Sequence, residues 1–313
     1  MNKVICISTV LVALLASPVF WGASLPHAEY TSEELFTIPW GDGPGELTTE
    51  WNYELWEPPA EDRCVIWPPG PWGVSSHGDL VLAQNTSDGS RLNTYDRDGS
   101  LIASINIRAN GLWMPNELAM SDTGEILLGY SNELVWLSPS LEEVARLQLP
   151  HTAVLIERIV PSDRSSFLVL YDSQLPSCDS PHIMSEKYLI ECFTDGSTDE
   201  PVLLLSYSSG DPAALEYCYV SPDGAFHSTI TDMHGYSYRF PWTDETVDPW
   251  GIGRHFMERL SSDGRVVYAH DFNSEEGWRM FDERYFLTWS GDFYTLHATD
   301  EGAVLTKYTL QME

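Results

Sequence analysis

A single turn chemistry recurs along this chain and limits what it can fold into. Ser75-Ser76-His77-Gly78 precedes the apolar run Asp79–Gln84, and Ser121-Asp122-Thr123-Gly124 precedes Glu125–Tyr130. Ser221-Pro222-Asp223-Gly224 precedes Phe226–Thr231, and Ser261-Ser262-Asp263-Gly264 precedes Arg265–Asp271. Ser162-Asp163-Arg164-Ser165, before Phe167, is a weaker copy. Ser and Asp side chains accept hydrogen bonds from the backbone just ahead of them, and Gly supplies a positive φ, so each tetrapeptide is a tight turn between two strands. A second set follows the next strand, at Asp96–Gly99, Ser138–Ser140, Thr194–Gly196 and Asp300–Gly302.

The runs between these turns are five to eight residues long and rich in Val, Ile, Leu, Tyr, Phe and Thr. No long segment after the N-terminal region keeps a period of 3.6, so the chain reads as all-β. Gly78 to Gly124 is 46 residues and Gly224 to Gly264 is 40. A strand–turn–strand unit of roughly 40–50 residues that cannot bury both faces alone is one blade of a β-propeller. Length favours six four-stranded blades in a single domain over residues 25–313, with five or seven also compatible. A pair of β-sandwiches does not require this period, and a parallel β-helix has much shorter rungs.

Residues 1–24 have the form of an export signal. Lys3 provides a positive start, Val4 to Phe20 is almost wholly apolar, and Gly22-Ala23-Ser24 places small residues before Leu25. An uncleaved anchor is the rival, but the run is short for a bilayer span and no basic cluster follows it. The expectation is an exported protein, periplasmic or secreted, with no stable membrane anchor after cleavage. Cleavage removes Cys6 and leaves Cys64, Cys178, Cys192 and Cys218. These four permit two disulfides in three pairings, Cys178 with Cys192 closing a hairpin among them, or stand as buried thiols. No Cys-x-x-Cys pair is present, which disfavours a zinc knuckle or a thioredoxin-type site.

Sixteen basic residues against 47 acidic ones give a formal charge of −31. Such a surface repels nucleic acid and anionic lipid, and suits cations, basic partners or simple solubility.

The run Gly111-Leu112-Trp113-Met114-Pro115-Asn116-Glu117-Leu118-Ala119-Met120, with the turn and strand after it, resembles a repeat of the six-bladed propellers of the NHL and TolB-like group. The Ser-Pro-Asp-Gly turn at 221–224 is similar to the TolB-type turn. Gly41-Asp42-Gly43-Pro44-Gly45-Glu46-Leu47 resembles a stretch found in exported bacterial six-bladed propellers. That group includes binding modules, lyases and metal-dependent lactone hydrolases, so the resemblance implies a fold rather than an activity.

Catalytic signatures are few. The sequence has no Gly-x-Ser-x-Gly elbow, no His-Glu-x-x-His, no P-loop and no EF-hand loop. His227, Asp232, His234 and His270 are the candidate metal ligands, because equivalent loops of a propeller converge on one axial mouth; a divalent cation, Ca²⁺ or Zn²⁺, is the cofactor they would hold. Each of these residues equally suits a hydrogen-bonded turn or strand position. Glu117, Asp122, Asp163, Asp223 and Asp263 could ring a channel with oxygens, or serve the backbone of their turns. Among twelve tryptophans, Trp67, Trp72, Trp242 and Trp250 lie near Pro-rich stretches and are candidate ligand platforms, with packing between blades as the alternative. The expectation is a non-enzymatic binding module for an extracytoplasmic protein, peptide or glycan. The alternatives are a metal-dependent lactonase-like hydrolase or lyase, and a calcium-stabilised envelope protein.

Overall fold

The computed structural model describes residues 30–41, 43–47, 70–86, 89–151, 153–162, 166–175, 184–208, 219–227, 229–243, 254–271, 285–299 and 301–311. Among them the only helical element is a 3₁₀ turn at Arg108–Asn110; everything else ordered is β.

The first strand, β1 (Tyr30–Pro39), does not begin a blade. Blade 1 comprises β2 (Trp72–Val74), β3 (Leu80–Thr86), β4 (Gly89–Tyr95) and β5 (Leu101–Asn106). Blade 2 comprises β6 (Glu117–Met120), β7 (Ile126–Gly129), β8 (Glu133–Leu137) and β9 (Glu143–Gln148). Blade 3 comprises β10 (Ala153–Pro161), β11 (Ser166–Leu175), β12 (Met184–Phe193) and β13 (Val202–Ser208). A two-stranded ribbon follows, β14 (Tyr219–Val220) with β15 (Phe226–His227). Blade 4 is built from β16 (Ile230–Thr231), β17 (Ser237–Arg239), β18 (Trp242–Thr243), β19 (Arg254–Leu260) and β20 (Val266–Asp271); β18 and β20 both pair with β19. Blade 5 takes β21 (Tyr285–Leu287), β22 (Phe293–Ala298) and β23 (Gly302–Leu310) from the end of the chain, and its outermost strand is β1. That antiparallel pairing runs from Tyr30 opposite Leu310 to Pro39 opposite Gly302 and joins the two ends of the described chain in one sheet.

The fold is therefore an all-β propeller with five blades, one of the counts the repeat allowed. Six, the favoured count, comes from dividing the chain length by roughly 40–50 residues per blade, which counts the stretch around the Ser221–Gly224 turn at full value. That turn joins only the two-residue strands of the ribbon, and blade 3 alone spans Ala153 to Ser208.

Strand composition follows from burial on two faces. In β3, Leu80 and Leu82 pack toward blade 5 with Ile38, Tyr294, Leu296 and Leu305, whereas Val81 and Ala83 pack toward blade 2 with Leu118, Ile126 and Leu128. In β7, Leu127 faces blade 3 and packs with Trp136, Phe167 and Val169, while Ile126 and Leu128 face blade 1. Successive side chains leave a strand on opposite sides, so a strand wedged between neighbours on both sides must be apolar at every position. This produces continuous apolar runs in place of alternation. A smaller cluster, Leu168, Leu170, Leu189 and Val220, joins blade 3 to the ribbon. An aromatic one containing Tyr30, Tyr238, Met257, Phe293 and Tyr308 joins blade 4 to blade 5.

The turns work as their residues require. Gly124 has φ 81°, its N–H reaches the Ser121 carbonyl at 2.9 Å, and Ser121 Oγ accepts from the Glu125 N–H at 3.1 Å. In the turn between the third and fourth strands of blade 2 the position held by Gly99 in blade 1 is Leu141, at φ 63°. A left-handed leucine costs roughly 1–2 kcal/mol of backbone energy; here its side chain is buried in the cluster between blades 1 and 2, which offsets that cost.

Candidate axial binding funnel

The innermost strands β2, β6, β10 and β21 of four blades and β14 of the ribbon, with the turns that leave them, enclose a funnel of about 830 Å³. Five different segments thus contribute to one surface, as expected where a propeller's inner strands surround an axis. One part of the wall is aromatic. Tyr219 and Trp289 stack with ring centres 6.0 Å apart and planes 14° from parallel, and Trp72 lies 6.2 Å from Phe286. Burial pushes the Tyr219 hydroxyl up to about 12, so it stays a neutral donor at physiological pH.

The charged lining comprises Glu117, Asp122, Glu157 and Arg158. Asp122, in the first turn of blade 2, accepts from the Ser76 N–H of the corresponding turn of blade 1 at 2.8 Å and so ties two blades together at the rim. Glu157 is placed by a β-bulge. Ile156 pairs with Tyr171 and Arg158 with Leu170, which leaves Glu157 as the extra residue of β10. A bulge re-aims side chains, and here Glu157 and Arg158 both reach the funnel.

Behind Glu157 lies a buried ionic cluster. Lys187 of β12 stands opposite Asp172 of β11 in the ladder. Its Nζ donates to Glu157 Oε1 and lies 3.4 Å from Asp172 Oδ1, with the lysine side chain 1% exposed. Burial pushes the Glu157 carboxyl up to about 7; its hydrogen bond with Asp172 adds to the rise, and Lys187 opposes it.

The four residues expected to bind metal go to different surroundings. His227, in β15, has Nε2 3.4 Å from Ser221 Oγ and its ring 5.8 Å from Trp289, at the edge of the aromatic wall. Asp232 is a buried structural hub. Its Oδ1 accepts from the His234 and Tyr236 N–H groups at 2.9 and 3.0 Å, and its Oδ2 from Tyr238 Oη at 2.7 Å and from Arg259 Nε and Nη2 at 3.3 Å. Arg259 in turn lies over the Tyr236 ring at 3.6 Å. His234 occupies the same turn and meets Asp232 through its backbone. His270, in β20, packs edge-on to Phe293 and Tyr308 with Nδ1 3.3 Å from Tyr268 Oη. No group of three or more His, Cys, Asp or Glu with metal-binding geometry occurs among the described residues.

Of the expected aromatic platforms, Trp72 lines the funnel. Trp242 forms part of β18, paired with His255, and its side chain lies outside the described set, as do Trp67 and Trp250 entirely. Asp223 and Asp263 cap their own turns, accepting from Ser221 and Ala225 and from Ser261 and Arg265, which holds both carboxyls low. Asp163 is outside the described residues, as are Cys6, Cys64, Cys178, Cys218 and the whole 1–24 segment. Cys192 is a buried free thiol, pushed up to about 12 by burial.

Sequence reading missed Glu157, Arg158, Tyr219 and Trp289. One signal was available for the cluster: Lys187 is one of only three lysines in a strongly acidic chain, and it falls inside an apolar strand run.

The class these features define is a five-bladed β-propeller with an open axial funnel. No family model matches the chain, and no curated protein matches it. Several solved structures are similar to it. A member of the DUF4221 family from Bacteroides vulgatus shares 10% identity over 78% of this chain and 93% of its own, with a TM-score of 0.41. A gluconolactonase from Xanthomonas campestris shares 9% over 77% and 86%, TM-score 0.34, and the Neurospora crassa Pan2 WD40 domain 9% over 77% and 63%, TM-score 0.34. The propeller assignment rests on the chain's own sheet order.

Proposed function

We propose that this protein is an exported, non-enzymatic binding propeller whose axial funnel takes a protein, peptide or glycan segment. The observation that carries the reading is the funnel itself: an 830 Å³ concavity in which stacked rings of Tyr219 and Trp289 stand alongside Glu117, Asp122, Glu157 and Arg158. An apolar face edged by a few convergent polar groups is the usual form of a recognition site, and large rings provide most of the binding energy at such sites. Short strands make the wall rigid, so little ordering cost falls on binding.

The test is a screen of the purified protein on glycan and peptide arrays, with hits confirmed calorimetrically against Trp289→Ala. Loss of one stacked ring is expected to weaken a funnel ligand by about 10- to 100-fold. Metal-dependent turnover of lactones or esters by the same preparation would replace this reading with the hydrolase one.

A further inference from the structure

The second strand layer of blade 3 gives the funnel wall a titratable element. Asp172 and Lys187 face each other across β11 and β12, and the bulge brings the Glu157 carboxyl of β10 onto the same ammonium. Glu157 is the member that reaches the funnel, with 22% of its side chain exposed against 13% for Asp172 and 1% for Lys187. With both carboxyls ionised the cluster holds two negative charges and one positive. With Glu157 protonated it is neutral.

We propose that the Glu157–Asp172–Lys187 cluster is a proton-linked docking point for a cationic ligand head, a primary ammonium or guanidinium such as a basic peptide carries. This rests on the funnel reading and deepens it by naming the ligand chemistry. Binding exchanges one positive charge for another: the ligand ammonium takes its place beside the Glu157 carboxylate, and the proton held by the carboxyl leaves to water. The other ionisable groups of the funnel are Arg158 beside Glu157 on β10, Glu117 and Asp122 of blade 2, and the Tyr219 hydroxyl of β14. Arg158 opposes a cation. It is outnumbered by Glu117, Asp122 and ionised Glu157. The raised proton affinity of Glu157, caused by burial and then by Asp172, puts the exchange near neutral pH.

The experiment uses butylammonium as probe and butanol as its uncharged control, in salt high enough to screen the distant surface charge. Affinity is measured calorimetrically from about pH 5 to about pH 8.5. The expected result is butylammonium binding that strengthens by about 100-fold across that range, as linkage to one group titrating near 7 requires. Butanol shows no such trend. In Glu157→Gln the pH dependence disappears. In Asp172→Asn, which removes the carboxyl that holds the Glu157 proton, the midpoint moves to lower pH. Thermal melts confirm that each variant is folded. The proposal is overturned by a flat profile in the parent protein, by an unchanged profile in Glu157→Gln, or by no butylammonium binding at the upper pH. If array ligands still depend on Trp289 in that case, only the cation subsite falls; if Trp289→Ala leaves them unaffected, the funnel reading falls, whatever the butylammonium profile shows.

Discussion

Replacing Asp232 by alanine separates a structural hub from a metal ligand. Its side chain is 0% exposed, it satisfies two backbone N–H groups of the turn after β16, and it accepts from Tyr238 Oη and the Arg259 guanidinium. Removing one partner of a buried ion pair costs about 3–5 kcal/mol, because the remaining charge stays out of water. The two turn bonds contribute roughly 1 kcal/mol each. The summed effect, about 5–7 kcal/mol, is comparable to the whole stability of many domains. Asp232→Asn keeps an acceptor for the turn and loses the charge, so it spares the turn bonds and is expected to cost about 3–5 kcal/mol. Urea unfolding followed by tryptophan fluorescence, run in EDTA and again with Ca²⁺ or Zn²⁺, reads the difference. The account requires the same loss in both conditions. A variant that loses less than about 1 kcal/mol, or one that is destabilised only relative to a metal-loaded parent, would refute the assignment of Asp232 to the Arg259–Tyr238 network.

Other consequences are open to direct measurement. Glu157 holds its proton more tightly folded than unfolded, so its contribution is fully present below the ordinary glutamate range and is lost as pH rises through about 7; stability should fall by up to about 3 kcal/mol across that window in urea melts, and the fall should shrink in Glu157→Gln. The Cys192 thiol, buried and pushed up to about 12, should react with a thiol reagent only after unfolding, whereas labelling within minutes in native buffer would contradict its placement. Deleting residues 30–39 should unlatch blade 5, since β1 supplies its outer strand, and the expected signature is a loss of several kcal/mol or loss of cooperative melting.

The sequence carried the strands and their turns because both depend on local chemistry. Ser121, Gly124 and the apolar runs around them state their roles within a few residues. Blade number depends on what a turn connects. Ser221–Gly224 has the same chemistry as the turns that open full blades, yet it joins strands of two residues each. The funnel was legible only at Trp72, Glu117 and Asp122. Tyr219, Glu157 and Trp289 converge from three distant segments, a relation no local pattern encodes, and Glu157 faces the funnel only because a bulge adds one residue to β10. For Asp232, sequence marked a polar residue between histidines. The structure shows why it is polar: Arg259, on a strand more than twenty residues away, is buried against it.

Hydrogen exchange with and without an array-selected ligand tests the funnel most directly, because it locates the binding surface without assuming any residue's role. The account predicts added protection in β2, β6, β10, β14 and β21 and in the turns that follow them, with little change elsewhere. Protection confined to the outer strands β5, β9 and β13 would place the ligand on the rim of the blades and contradict the axial site.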